Sequence, residues 1–108
     1  MNQKVISLQK AQEIVDTWIQ TVGGKYFSEL TNLGQLTEEV GELARIITRK
    51  YGDQTAKASE SDLNLADEMA DILFVLICLA NQTGINLTEA FQNNIEKKTN
   101  RDKNRHNN

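Results

Sequence analysis

The sequence predicts an all-α, bundle-like fold of four helices. Three observations carry this reading. Apolar residues recur at helical spacing along most of the chain, glycines close the periodic segments, and no proline occurs in 108 residues. All-β folds rely on proline-bearing turns and short strands, so that absence favours helices. The length supplies one core and not two, and one domain over residues 1–108 is expected.

The first helix is predicted over Leu8 to Val22, where Leu8, Ala11, Val15, Trp18, Ile19 and Val22 follow helical spacing before Gly23-Gly24. The second runs from about Thr31 to Tyr51 on the stripe Leu33, Leu36, Val40, Leu43 and Ile47, with Gly52 as its stop. A polar loop follows, Asp53 to Ser61. The third helix is predicted from Asp62 to Thr83 with Ser61 as N-cap. Its middle, Ile72 to Ala80, is apolar all round and reads as a central, fully buried helix. The fourth spans Thr88 to Arg101 with Leu87, Ala90, Phe91 and Ile95 inward, and residues 102–108 read as a mobile polar tail. Short connections between antiparallel helices make a bundle.

Composition narrows the function classes. The net charge of −3 argues against a sequence-independent nucleic-acid binder, which needs a basic surface. Acids cluster in the middle of the chain, while Lys97, Lys98, Arg101, Lys103 and Arg105 crowd its end. Cys78 is the only cysteine, so no intrachain disulfide is possible, and it reads as a small core residue. The N-terminus lacks the apolar segment of a secretory signal. The nine-residue apolar run Ile72 to Ala80 is well short of the ~20 residues of a membrane span. No membrane partner is expected, and the expected location is the cytoplasm.

The chemistry-bearing residues are carboxylates. Glu38, Glu39 and Glu42 lie within one helical turn, and Glu68 and Asp71 form a second i,i+3 pair. Such neighbours have Cβ atoms about 5–6 Å apart. Clustered carboxylates repel unless a cation lies between them, and hard divalent cations take oxygen ligands of this kind. Glu38, Glu42, Arg45 and Arg49 also share the face opposite the apolar stripe, so a solvated, ion-paired surface would explain two of the three glutamates. The Glu68/Asp71 face instead continues into Ile72, Val75, Cys78 and Leu79, which reads as buried. Unpaired carboxylates there would cost several kcal/mol per ion. The only histidine, His106, lies in the tail, so Mg²⁺ or Mn²⁺ fits better than a redox metal.

Glu38-Glu39-x-x-Glu42, a 25-residue spacer and Glu68-x-x-Asp71 resemble the signature of the MazG-like, all-α nucleoside triphosphate pyrophosphohydrolases. The resemblance extends to Tyr26-Phe27-Ser28, to Leu36 through Ala44, to Asp67 through Leu76, and to Lys97 with Arg101-Asp102, covering roughly Ala11 to Arg105. It implies a four-helix MazG fold assembling as a dimer or a dimer of dimers. It also implies Mg²⁺-dependent cleavage of a (deoxy)nucleoside triphosphate between its α- and β-phosphates, with house-cleaning of non-standard or surplus nucleotides as the expected role. Phosphoribosyl-ATP and dUTP or dCTP hydrolases are alternatives within the superfamily. A non-enzymatic helical interaction module is the alternative outside it.

By position, the resemblance makes Glu39, Glu42, Glu68 and Asp71 metal ligands and gives Glu38 a supporting role. Glu38 or Glu39 is the candidate acceptor of the attacking water's proton. Asn94, Lys97 and Arg101, on one face of the last helix, match phosphate-contacting positions; a basic helix C-terminus favoured by the helix dipole would look the same. Tyr26, Phe27, Asn32 and Gln35 are candidates for the base. Trp18 could also stack on a base, although its helical spacing favours a core role.

Overall fold

The computed structural model describes residues 4–52 and 64–106. Among them are four helices, α1 (Leu8–Trp18), α2 (Glu29–Tyr51), α3 (Leu65–Thr83) and α4 (Leu87–His106), and no strand. Each start has a local cause. Ser7 accepts from the Lys10 amide, Ser28 from Thr31, Asn64 from Asp67, and Asn86 from Glu89. These bonds satisfy amides that the first turn of a helix leaves without partners.

The boundaries correct the sequence reading in three places. The first helix changes register after Trp18 and closes as a π-helical turn, Ile19–Gly23, before Gly24 at φ 95°. The third helix starts at Leu65 on an Asn64 cap; Ser61, the expected cap, and Asp62 lie outside the described residues. The fourth continues to His106, so most of the expected tail is helix. Gly84, in the left-handed region at φ 72°, ends α3, and the Gly84 and Ile85 amides bond back to Asn81 and Ala80. This is the cap geometry that glycine adopts without Cβ strain.

The core joins α1 to α3. Val15 and Ile19 pack on Ile77 and Cys78, with Ala11, Tyr26, Phe74 and Leu87 around them. On its other side α3 lies along α2, where Ile46 and Val75 are buried. Leu73 and Leu76 nevertheless stay 43% and 42% exposed. The all-round burial expected of α3 is therefore not met within one chain. The α2 stripe divides in the same way: Leu33, Val40 and Ile47 face outward, Leu36 and Leu43 are half-buried, and Ile46, outside the expected stripe, faces the core. Two helices packed on α3 leave part of its circumference uncovered.

The chain bends by 103° between α3 and α4. The start of α4 is tied to α1, where Thr88 accepts from the Gln9 amide and Gln12 accepts from the Leu87 amide. Beyond that, Phe91 and Ile95 are exposed, not inward as expected. No single helix among the described residues is long and apolar enough to cross a membrane.

Candidate metal centre and adjoining pocket

Glu68 sits in the first turn of α3, four residues after its cap, and points into the contact with α2. It is 9% exposed. Glu39, from the middle of α2, and Asp71, one turn further along α3, approach it. One carboxylate oxygen from each lies within 4.8 Å of the other two. Burial pushes the Glu68 carboxyl up to about 7, helped by a shared hydrogen bond with Glu39, the Glu39 charge, and then the same two effects from Asp71. Without a cation the three groups are in conflict, and one must hold a proton near neutral pH. An oxygen-only donor set of this charge fits a hard divalent cation.

The cluster draws one residue from the first sequence motif and two from the second. Glu42 lies elsewhere, with its Oε2 accepting from Arg45 Nη2 and Nε at 3.1 and 3.2 Å. Glu38 is exposed. The α4 residues Asn94, Lys97 and Arg101 are exposed on the arm beyond the bend, and Arg101 pairs with Asp102 at 3.3 Å. A single chain therefore gathers Glu39, Glu68 and Asp71 and does not bring the α4 cations into the same packed unit.

One to two helical turns from the acids, the same pair of helices borders a cavity of 210 Å³. Trp18, Tyr26, Phe27 and Phe74 supply aromatic walls, Val75 and Cys78 line it from α3, and Asn32 and Gln35 from α2. Trp18 is half-exposed and meets Phe74 edge-on, with ring centroids 5.7 Å apart. Its ring lies against Gly23, where an added Cβ would come 3.0 Å from Trp18 Cζ3. The Tyr26 hydroxyl donates to Asp16 at 2.6 Å and accepts from Asn81 at 3.0 Å, so its ring is held as a wall. Burial first, and then the Asp16 bond, push that hydroxyl up to about 12, which keeps it protonated.

Asn32 to Glu39, and Glu68 to Val75, are both seven-residue steps. At 1.5 Å per residue each spans roughly 10 Å, and Gln35 and Phe74 extend the lining to within about one turn of the acids. Larger grooves of 410 and 470 Å³ run along α1, away from the acids. In the first, Gln12 is already bonded to Asn81, to the Ile85 carbonyl and to the Leu87 amide.

Residues 27–106 match the profile of the MazG nucleotide pyrophosphohydrolase domain. The chain belongs to the MazG nucleotide pyrophosphohydrolase family. It is 42% identical over 99 residues to the YpjD protein of Bacillus subtilis strain 168, covering 92% of this chain and 89% of that protein. The crystal structure of Bacillus subtilis YpjD superposes with a TM-score of 0.76 at 41% identity, over 90% of this chain and 97% of that one. A Bacillus-conserved MazG protein, described as a nucleotide pyrophosphohydrolase, superposes at 0.71 and 34% identity, over 88% and 91%. Membership in the MazG family makes this chain a pyrophosphohydrolase and disposes of the helical interaction module.

Sequence reasoning missed Phe74, which lines this pocket, and Gln82, which bonds to the lining residues Asn32 and Phe27. The signal for Gln82 was present: Asn81-Gln82 is a polar pair closing an apolar helix, and both side chains are only partly exposed.

Proposed function

We propose that this pyrophosphohydrolase hydrolyses a (deoxy)nucleoside triphosphate between its α- and β-phosphates, releasing the monophosphate and pyrophosphate, with Mg²⁺ (or Mn²⁺) as cofactor. One observation carries the reading: an electrostatically frustrated carboxylate cluster, centred on the buried Glu68, stands within two helical turns of an aromatic pocket on the same two helices. Glu39, Glu68 and Asp71 hold the ion, and Glu42 joins them when its side chain turns away from Arg45. Bound there, the ion neutralises phosphate charge and lowers the pKa of water.

The remaining chemistry belongs to the chain. Glu38, or a Glu39 oxygen not spent on metal, accepts the proton of the attacking water. The water oxygen bonds to phosphorus, the α–β bridging P–O bond breaks, and pyrophosphate leaves. Asn94, Lys97 and Arg101 contact the phosphates. Because α4 diverges from the α2–α3 pair, these residues reach a site from a second copy of the chain. The exposed Leu33 and Val40 of α2 and Leu73 and Leu76 of α3 support such a homodimer or homotetramer, since this many large apolar side chains left uncovered on two helices favours a further packing partner. Tyr26, Phe27, Asn32 and Gln35 border the base. Removal of non-standard or surplus nucleotides in the cytoplasm is the role this chemistry fits.

The test is a nucleotide panel with Mg²⁺, resolving pyrophosphate from orthophosphate. Pyrophosphate and monophosphate in equal amounts are expected, and Glu68→Gln and Asp71→Asn should lower both by about 100-fold or more. Stepwise release of orthophosphate would overturn the α–β assignment.

A further inference from the structure

The cavity near the acids is lined by one buried polar side chain whose hydrogen-bonding capacity is only half used. Asn32 is 3% exposed and lines that cavity. An amide's oxygen and nitrogen have nearly the same shape, so its orientation must be set by its neighbours. Here the setting is unambiguous, because it starts from a main-chain carbonyl, which can only accept. The Phe27 carbonyl accepts from Gln82 Nε2 at 2.6 Å. Gln82 Oε1 is thereby turned towards Asn32, whose Nδ2 donates to it at 2.8 Å and to the Phe27 carbonyl at 3.5 Å. Asn32 Oδ1 is left as an acceptor, and among the described residues no donor reaches it. The residue is 3% exposed, yet this oxygen is not sealed from solvent, so a ligand in the cavity can donate to it in place of water.

We propose that Asn32 Oδ1 is the specificity-determining acceptor of the pocket, selecting bases with an exocyclic amino group over their oxo counterparts, and that Gln82 is the positioning residue that fixes its orientation. The proposal rests on the reading of this pocket as the base site. An amino group of cytosine or adenine donates to Oδ1. An oxo group at the same place sets two acceptors against each other, so the hydrogen bond is lost and repulsion replaces it. The Gln82–Phe27 bond prevents the Asn32 amide from turning over to donate instead.

The test compares kcat/KM for dCTP against dUTP and for dATP against dITP, with N6,N6-dimethyl-dATP as an adenine that cannot donate. An amino preference of about 10- to 100-fold is expected, the effect of one hydrogen bond made against one opposed pair of acceptors. The dimethyl analogue should fall with dITP. In Gln82→Met the Asn32 amide is free to turn, and the amino-to-oxo ratio should collapse towards one. That ratio does not depend on how much of the variant is folded, so a merely structural role would leave it unmoved. Should Gln82→Met not fold, the unsubstituted enzyme decides alone. Pyrophosphate released equally from amino and oxo bases, or faster from oxo bases, would overturn this inference and leave the hydrolase reading standing. No pyrophosphate from any base would sink both.

Discussion

The two ends of the α2–α3 contact are built on opposite principles. At one end Glu39, Glu68 and Asp71 crowd like charges, and burial holds the Glu68 carboxyl at about 7. At the other, Asn32, Gln82 and the Phe27 carbonyl form a closed set of hydrogen bonds with one acceptor to spare. The acid end is held in conflict, while the amide end is already ordered. On the function proposed above, the difference separates two tasks: affinity for an ion would come from relieving a conflict, whereas selection of a base would need a fixed geometry before the ligand enters.

The largest break in this contrast should come from the acids. Glu68→Gln or Asp71→Asn should lower Mg²⁺-dependent pyrophosphate release by about 100-fold or more, since even outer-shell partners of a metal contribute 10- to 100-fold. The same variants should lose the rise in Tm that Mg²⁺ or Mn²⁺ gives the parent protein, measured by calorimetry.

A pH titration sharpens the contrast without changing a rate. Glu68 binds its proton more tightly in the folded state than at its ordinary value of 4.5. Its contribution to stability is therefore fully present below pH 4.5 and is lost as pH rises to about 7. Metal-free protein should show Tm falling across that window, and Glu68→Gln should flatten the slope.

Smaller effects are expected at the amide end. Gln82→Met should cost about 1–2 kcal/mol in urea unfolding by removing bonds to Phe27 and Asn32, and should leave the metal-induced rise in Tm intact. The smallest belongs to the exposed Glu42–Arg45 pair. Glu42→Gln should change metal-free stability by less than about 1 kcal/mol, because surface ion pairs contribute little. It should still weaken turnover if Glu42 swings to the ion. An unchanged rate would confine the site to the three acids already together.

Much of this was legible in the sequence. The helical class, the order of the four helices and the stops at Gly23-Gly24 and Gly84 follow from periodicity and local capping. Glu68 was also readable as a buried acid, because its face runs on into Val75 and Cys78; Asp71, read the same way, is exposed one turn further along. Glu42 was not readable. Whether it meets the ion or Arg45 depends on a rotamer choice between neighbours on one helix, and both choices have the same spacing. The apolar run of α3 was misjudged for a related reason: composition records which residues need cover, not whether one chain has the helices to cover them.

By itself, the sequence determined everything that one helix imposes on its own residues. It set the pairing of Glu68 with Asp71, the alignment of Asn32 with Glu39, and the caps at Ser7 and Ser28. Rise and turn per residue are constants of the α-helix, so such relations follow from spacing alone. Only the tertiary structure decided the relations between helices. It brought Glu39 to Glu68, turned the Asn32 oxygen free by anchoring Gln82 on Phe27, and sent α4 away from the acids. Those distances depend on how side chains on two surfaces interlock, and spacing along one chain does not encode that.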